Sequence, residues 1–158
     1  MGNLVLRILA VFGPGQRDLS RARAALTEAR ETDDHLIRYS SAHVAALRIA
    51  AAMLAVRARP VRSGPRRRVQ RNAWVLLAEV APELGEWATF FAAGASQRAA
   101  AEAGLERAVT RREADDLVRA VESFYELVES SLRLTDQPVL PDASEPLSVL
   151  AQSWMQAS

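Results

Sequence analysis

Apolar residues recur every three or four positions over several long stretches of this chain, which is the period of helices that bury one face. Residues 36–56 form the longest such stretch, and it is rich in alanine and apolar around most of its circumference. A helix of this kind has to be covered by several neighbours at once. We therefore predict that residues 36–56 form the central helix and that the other helices surround it.

The remaining periodicity predicts three more main helices. The first covers residues 17–31, and the Thr-Asp-Asp sequence that follows supplies N-cap oxygens for the central helix. The third starts near residue 67 and is broken at Pro82, because proline disrupts helical hydrogen bonding. A capping box, Thr110 to Glu113, begins the last helix, which we expect to end near residue 134. Residues 92–104 are predicted to be a weaker, partly helical connection.

The predicted fold class is all-α, because no stretch alternates in the way a strand does. We expect an antiparallel four-helix bundle over residues 16–134, with the third helix broken at Pro82. A peripheral apolar segment occupies residues 1–15, and a proline-containing tail occupies residues 135–158. The tail includes a short amphipathic stretch, which we expect to dock on this chain or on a partner protein through Leu147, Leu150 and Trp154.

Composition removes several classes of function. The chain has no cysteine, which excludes disulfides, thiolate zinc sites and cysteine catalysis, and it has no lysine, which excludes the usual P-loop. The two histidines, His35 and His43, do not have the spacing of a metal site, so we expect neither a metal nor a cofactor. The apolar run at residues 42–56 is too short to cross a membrane and contains Arg48, so we expect no membrane span. Residues 4–12 lack the features of a signal peptide. A cytoplasmic protein is the default expectation.

Charge is distributed unevenly along the chain. Between His35 and Ala78 there are nine arginines and no acidic residue, whereas from Glu79 onward there are fourteen acidic residues and six arginines. The basic region is either a solvated loop between helices or a patch that binds phosphates of RNA or of a nucleotide. Its candidate phosphate-binding residues are Arg57, Arg59, Arg62, Arg66, Arg67, Arg68 and Arg71.

One pair of residues, Arg38 and His43, has the form R-x4-H near the start of the central helix. Together with the sequence AHVAALRIAAAML at residues 42–54 and the helical layout of residues 16–134, it resembles the HEPN superfamily of small helical bundles. The likeness is greatest to a branch found in actinobacteria. Many HEPN domains are dimeric, metal-independent ribonucleases. The resemblance implies that Arg38 holds phosphate and that His43 performs acid–base catalysis across a homodimer interface.

The same two residues also have a structural interpretation. Five residues along a helix correspond to about 140° of rotation, so the two side chains diverge unless the first turn is frayed. His43 falls on the apolar stripe of Leu36, Leu47 and Leu54, and a histidine on such a stripe is more often a hydrogen-bonded core residue. Trp74, Trp87, Phe90 and Phe91 are interpreted in the same way as core, or as the seam of a dimer.

Three hypotheses for function follow from these patterns. The first is a non-catalytic HEPN-like module, a homodimer that binds RNA or nucleotide through its arginines. The second is a toxin-like, metal-independent ribonuclease that uses Arg38 and His43. The third is a protein–protein adaptor that docks a partner through the amphipathic tail. The first and third hypotheses require a buried His43, and the second requires both side chains in one accessible cleft.

Overall fold

A computed structural model describes residues 14–58 and 72–136, and all of the regular structure in these two ranges is helical. The all-α prediction is therefore confirmed. The predicted N-terminal segment, almost all of the arginine-rich region and the tail with Leu147, Leu150 and Trp154 lie outside the described residues. In chain order, the helices are α1 (Pro14–Glu31), α2 (His35–Arg57), α3 (Ala73–Val80), a 3-10 turn (Pro82–Leu84), α4 (Gly85–Ala93), α5 (Ala95–Glu102) and α6 (Arg111–Asp136).

Helix α2 is the centre of the molecule. It contacts α1, α6, α5 and α3, and ten of its residues are buried. Five of these ten residues are alanines, at positions 42, 45, 46, 50 and 52, and their small side chains let neighbouring backbones approach closely. The apolar pattern thus identified the helix around which the others are arranged.

Asp34 fixes where α2 begins. Its carboxylate accepts hydrogen bonds from the backbone N–H groups of Leu36, at 2.8 Å, and of Ile37, at 3.3 Å. These N–H groups have no partner within the helix, so the cap supplies bonds that would otherwise be lost. The first turn of α2 is consequently a regular helical turn.

Helix α1 runs antiparallel to α2 and α6, whereas α2 and α6 run parallel to each other. At one end of the bundle, Arg38 of α2 pairs with Asp115 of α6. At the other end, a Cβ added to Gly15 would lie 3.0 Å from the Val56 side chain and 3.6 Å from that of Leu132. The start of α1, the end of α2 and the end of α6 therefore meet at one end of the bundle.

The break at Pro82 is present, and it reverses the direction of the chain. Trp74 near the start of α3 stacks on Phe91 near the end of α4, with ring centroids 5.2 Å apart. Residues seventeen positions apart in one kinked helix would be about 25 Å apart, at 1.5 Å per residue. The third predicted helix is therefore a helical hairpin, α3 and α4, joined by the 3-10 turn that begins at Pro82.

The hairpin packs on the bundle through aromatic side chains. Trp87 and Phe91 of α4 both lie against Phe124 of α6, with centroid distances of 5.4 and 5.1 Å. Trp74 and Phe91 are buried, whereas Phe90 is 51 % exposed. Most of the predicted aromatic group is thus core, and its exposed member is Phe90.

Residues 92–104 are more ordered than the sequence predicted. Helix α5 packs on α2 and ends in a Schellman motif, in which the Leu105 N–H bonds to the Ala100 carbonyl and the Gly104 N–H bonds to the Ala101 carbonyl. Gly104 has φ of 75°, which glycine adopts at little cost. Gly104, the last residue of the predicted weak connection, therefore terminates this helix.

The last helix begins with the predicted capping box. The Thr110 backbone N–H donates to the Glu113 carboxylate at 2.6 Å, and the Glu113 N–H donates to the Thr110 hydroxyl at 3.2 Å. The helix continues to Asp136, two residues beyond the predicted end. Its buried stripe faces α2 and the aromatic side chains of α4.

By length and composition alone, α2 is long and apolar enough to cross a membrane. The expectation of no membrane span rests only on the shorter stretch of residues 42–56. The core helix of a bundle meets the same criterion, and half of its most apolar window is buried against other helices. Its length and composition therefore follow from its central position.

Removal of the Asp34 cap is expected to destabilise the fold through α2. The Asp34→Ala variant should lose about 1 kcal/mol of unfolding free energy, because two N–H groups of the central helix lose their acceptor. Urea denaturation followed by circular dichroism measures this loss. Asp34→Asn should retain most of the stability, and Asp33→Ala, at the exposed neighbouring position, should change it by less than about 0.5 kcal/mol. Equal losses in the Asp33 and Asp34 variants would contradict the capping role.

Candidate functional site

Arg38 is held by three acceptors from two other parts of the bundle. Its Nη1 donates to Asp115 Oδ1 at 2.5 Å, its Nη2 to the Thr32 carbonyl at 2.7 Å and its Nε to the Ala29 carbonyl at 3.2 Å. The two carbonyls belong to the C-terminal end of α1 and the connection after it, where helical carbonyls lack an internal partner. Arg38 therefore ties the end of α1 to α2 and α6, and its side chain is only 19 % exposed.

The outer edge of Arg38 borders a shallow cleft of about 320 Å³ between α1 and α6. Arg30 and Arg119 also line this cleft, and so do the carboxylates of Asp115 and Glu122. Arg30 pairs with Glu122 at 2.5 Å. The cationic groups of the cleft thus face carboxylates of the same chain, which lowers its attraction for an added anion.

His43 is a core residue that is 2 % exposed. Its Nε2 lies 3.0 Å from the Phe91 carbonyl, so Nε2 carries the hydrogen and Nδ1 is the acceptor nitrogen. Nδ1 has no hydrogen-bond partner among the residues that the structure describes. The imidazole and the ring of Trp74 are perpendicular, with a centroid distance of 6.1 Å. The histidine joins α2 to both arms of the α3–α4 hairpin.

Burial lowers the pKa of the His43 imidazole below its ordinary value, and the hydrogen bond to the Phe91 carbonyl offsets only part of this effect. The ring is therefore neutral at pH 7. An imidazole in this state has an available lone pair on Nδ1, but the surrounding core excludes a substrate from it.

Tyr39 makes a second polar contact from α2, which joins this helix to α5. Its hydroxyl donates to the Gln97 side-chain oxygen at 3.1 Å. Burial, followed by the nearby charge of Glu113, raises the pKa of this phenol, so it stays protonated. Close approach requires glycine at position 94, since a Cβ there would lie 2.9 Å from the Tyr39 oxygen. Tyr39 and His43 together fix the turn between α4 and α5 on the central helix.

The structure does not bring Arg38 and His43 together. Arg38 faces α1 and α6, whereas His43 faces α3 and α4. The reason is the helical geometry: the cap at Asp34 keeps the first turn regular, so five residues separate the side chains by about 140°. Within one chain, therefore, the two residues do not share a cleft.

Of the seven predicted phosphate-binding arginines, only Arg57 lies within the described residues. Its guanidinium pairs with the Glu83 carboxylate at the start of the 3-10 turn. This hydrogen bond lowers the pKa of Glu83. Arg57 thus joins the end of α2 to the hairpin. Among residues 14–58 and 72–136, no group of three acidic or histidine side chains is placed to hold a metal ion.

The partners of Arg38 and His43 were not predicted from the sequence. The acidic residue at position 115 is only weak evidence for a pairing with Arg38, because acidic residues in the first turns of a helix are common for other reasons. The sequence does not mark the backbone carbonyls of Ala29, Thr32 and Phe91 as hydrogen-bond acceptors, since every residue carries a carbonyl. Only the apolar stripe indicated that His43 lies in the core.

The all-α bundle, with a central alanine-rich helix that carries R-x4-H, defines a protein of the HEPN class. The family model described as SAV_6107-like HEPN matches residues 29–129, which extend from the end of α1 almost to the end of α6. The chain therefore belongs to the SAV_6107-like HEPN family. Searches of the curated proteins and of the solved structures each found no match.

Loss of the Arg38 side chain is expected to lower stability. Arg38→Gln should reduce the unfolding free energy by about 2 kcal/mol, because two carbonyls and one carboxylate lose a charged donor. Urea denaturation measures the change. Arg112→Gln is a matched control, since Arg112 is 91 % exposed and should change stability by less than about 0.5 kcal/mol. A stable Arg38→Gln variant would show that the three contacts do not hold the bundle together.

Stability is also expected to fall as the pH is lowered below neutrality. The folded-state pKa of His43 is below its unfolded value of about 6.5, so the unfolded state takes up the proton first. The stabilisation is complete above pH 6.5 and is lost as the pH falls toward the folded-state pKa. Unfolding free energies between pH 7.5 and 5.5 should decline in wild type and in His35→Gln, but less in His43→Gln. The same slope in all three proteins would contradict this assignment.

Proposed function

We propose that this chain is a non-catalytic HEPN-family module that binds RNA or nucleotide phosphates through its arginine-rich region, residues 57–71. The observation that favours a non-catalytic role is the burial of His43 at 2 % exposure, with Nε2 bonded to the Phe91 carbonyl. A general acid or base has to reach the proton that it transfers. His43 is the one residue of the R-x4-H pair that could act as a general acid or base, and its ring packs against Trp74 in the core.

The state of Arg38 supports the same proposal. Catalytic phosphate binding needs a guanidinium with free donors directed at the ligand. Arg38 already uses three of its five N–H donors on Ala29, Thr32 and Asp115, and losing these bonds in order to bind phosphate would cost stability.

Charge favours the arginine-rich region as the binding surface. Residues 57–71 contain seven arginines and no acidic residue. Arg57 pairs with Glu83, and the other six arginines of this region lie outside the described residues. Neutralising several phosphates with arginine releases counterions, so binding of this type weakens with salt.

Binding to a labelled, mixed-sequence RNA should test the proposal. Fluorescence anisotropy across a salt series should give a steep fall in affinity for wild type. The triple variant Arg66→Gln, Arg67→Gln, Arg68→Gln should have a log–log salt slope shallower by about 2, at about 0.7 per lost contact to a single strand. The matched control removes three exposed arginines elsewhere: Arg107→Gln, Arg111→Gln and Arg112→Gln.

A cleavage assay in EDTA separates this proposal from the ribonuclease alternative. We expect wild type to leave the RNA intact. Metal-independent cleavage by wild type that disappears in a helical, folded His43→Ala variant would establish the ribonuclease instead. If neither binding nor cleavage occurs, the adaptor hypothesis is favoured. Size-exclusion chromatography with light scattering tests the homodimer in the same samples.

A further inference from the structure

One face of α2 has no fully buried residue. Its members repeat every three or four positions along the whole helix, and all are exposed or half-buried, whereas the rest of α2 is mostly buried. Ile37 is 45 % exposed near the start of this face. The open face consists of Ile37, Ser41, Val44, Arg48, Ala51 and Ala55.

Arg48 is the single charged residue of the open face, and α2 contains no acidic residue. The Arg48 side chain is half-buried, and its guanidinium has no ion pair or hydrogen bond with the part of the chain that the structure describes. A mostly apolar strip with one unpaired cation at its centre is complementary to an amphipathic segment whose charges are negative.

We propose that residues 147–154 of the same chain cover the open face of α2. The region after α6 has apolar residues at helical spacing, Leu147, Leu150 and Trp154, and its charged residues are Asp142 and Glu145. The segment itself therefore brings apolar area, and Glu145, two residues before it, brings the negative charge that complements Arg48.

The other occupants available within this protein are less complementary. The apolar segment at residues 4–12 carries Arg7, which has the same charge as Arg48. A second copy of α2, crossing antiparallel at the middle of the face, would bring two Arg48 side chains toward each other without an acidic partner on either helix.

The tail is long enough for this contact. Helix α6 ends at Asp136, at the end of the bundle where Val56 and Leu132 both approach Gly15. Ten residues separate Asp136 from Leu147, and an extended chain of that length spans about 33 Å. The half of the open face from Arg48 onward lies within about 14 Å of the end of α2, at 1.5 Å per residue.

Because the chain has no cysteine, introduced thiols would be its only ones. The double variant Ala51→Cys, Ala151→Cys places one thiol on the open face and one in the proposed segment. Its intrachain cross-linking by a short bifunctional thiol reagent should be about tenfold faster than in the control Ser20→Cys, Ala151→Cys. Ser20 is exposed on α1, near the same end of the bundle. Adding Arg48→Glu should slow cross-linking of the first variant severalfold, whereas Arg48→Lys should not.

Mass spectrometry and denaturing gels distinguish the outcomes. Fast intrachain cross-linking that depends on the charge at Arg48 supports the proposal. Equal rates in the two variants, or no cross-link in either, overturn it. Cross-linked dimers indicate that a second copy covers the open face and also overturn it. Preferential cross-linking of Ala10→Cys, Ala51→Cys overturns it in favour of the N-terminal segment.

Discussion

The need to cover an apolar helix determines the arrangement of this protein. Most residues of helix α2 are apolar, so their burial against neighbouring helices is favourable, and its many alanines let those neighbours approach closely. Helices α1 and α6, the α3–α4 hairpin and α5 each cover part of it. Each of these elements is too small to bury its own apolar side chains alone, and all of them obtain a core from the same helix.

The polar residues of α2 determine which neighbour lies where. Arg38 binds the end of α1 and the start of α6, Tyr39 binds α5, and His43 binds the end of α4. Hydrogen bonds have defined directions, whereas apolar contacts between alanines do not. The residues that resemble a catalytic pair therefore also orient helices around an otherwise uniform surface. In this chain, the helical geometry of the first turn directs the two side chains to different neighbours.

The sequence predicted the helices better than the path between them. Periodicity located α1, α2 and α6, since each buries one continuous stripe, and the spacing of Thr110 and Glu113 located the start of α6. It could not distinguish a kink from a reversal at Pro82, because proline ends a helix in both cases and the outcome depends on aromatic contacts with α6. For the site, the apolar stripe indicated burial of His43, but the acceptors of Arg38 are mostly carbonyls, which no sequence pattern marks.

The meeting of the start of α1 with the end of α6 has a topological consequence. Gly15 lies beside Leu132, so a short linker could join these two helices without disturbing their packing. With such a linker, the helices are joined in a continuous circle, so the packing of the core does not determine at which helix the chain begins. A circular permutant that begins at α6, opened in the exposed loop near Glu106, would retain every helix contact while converting the distant pairing of α1 with α6 into a local one. Because local contacts form faster than distant ones, such a permutant would change the order in which the bundle folds.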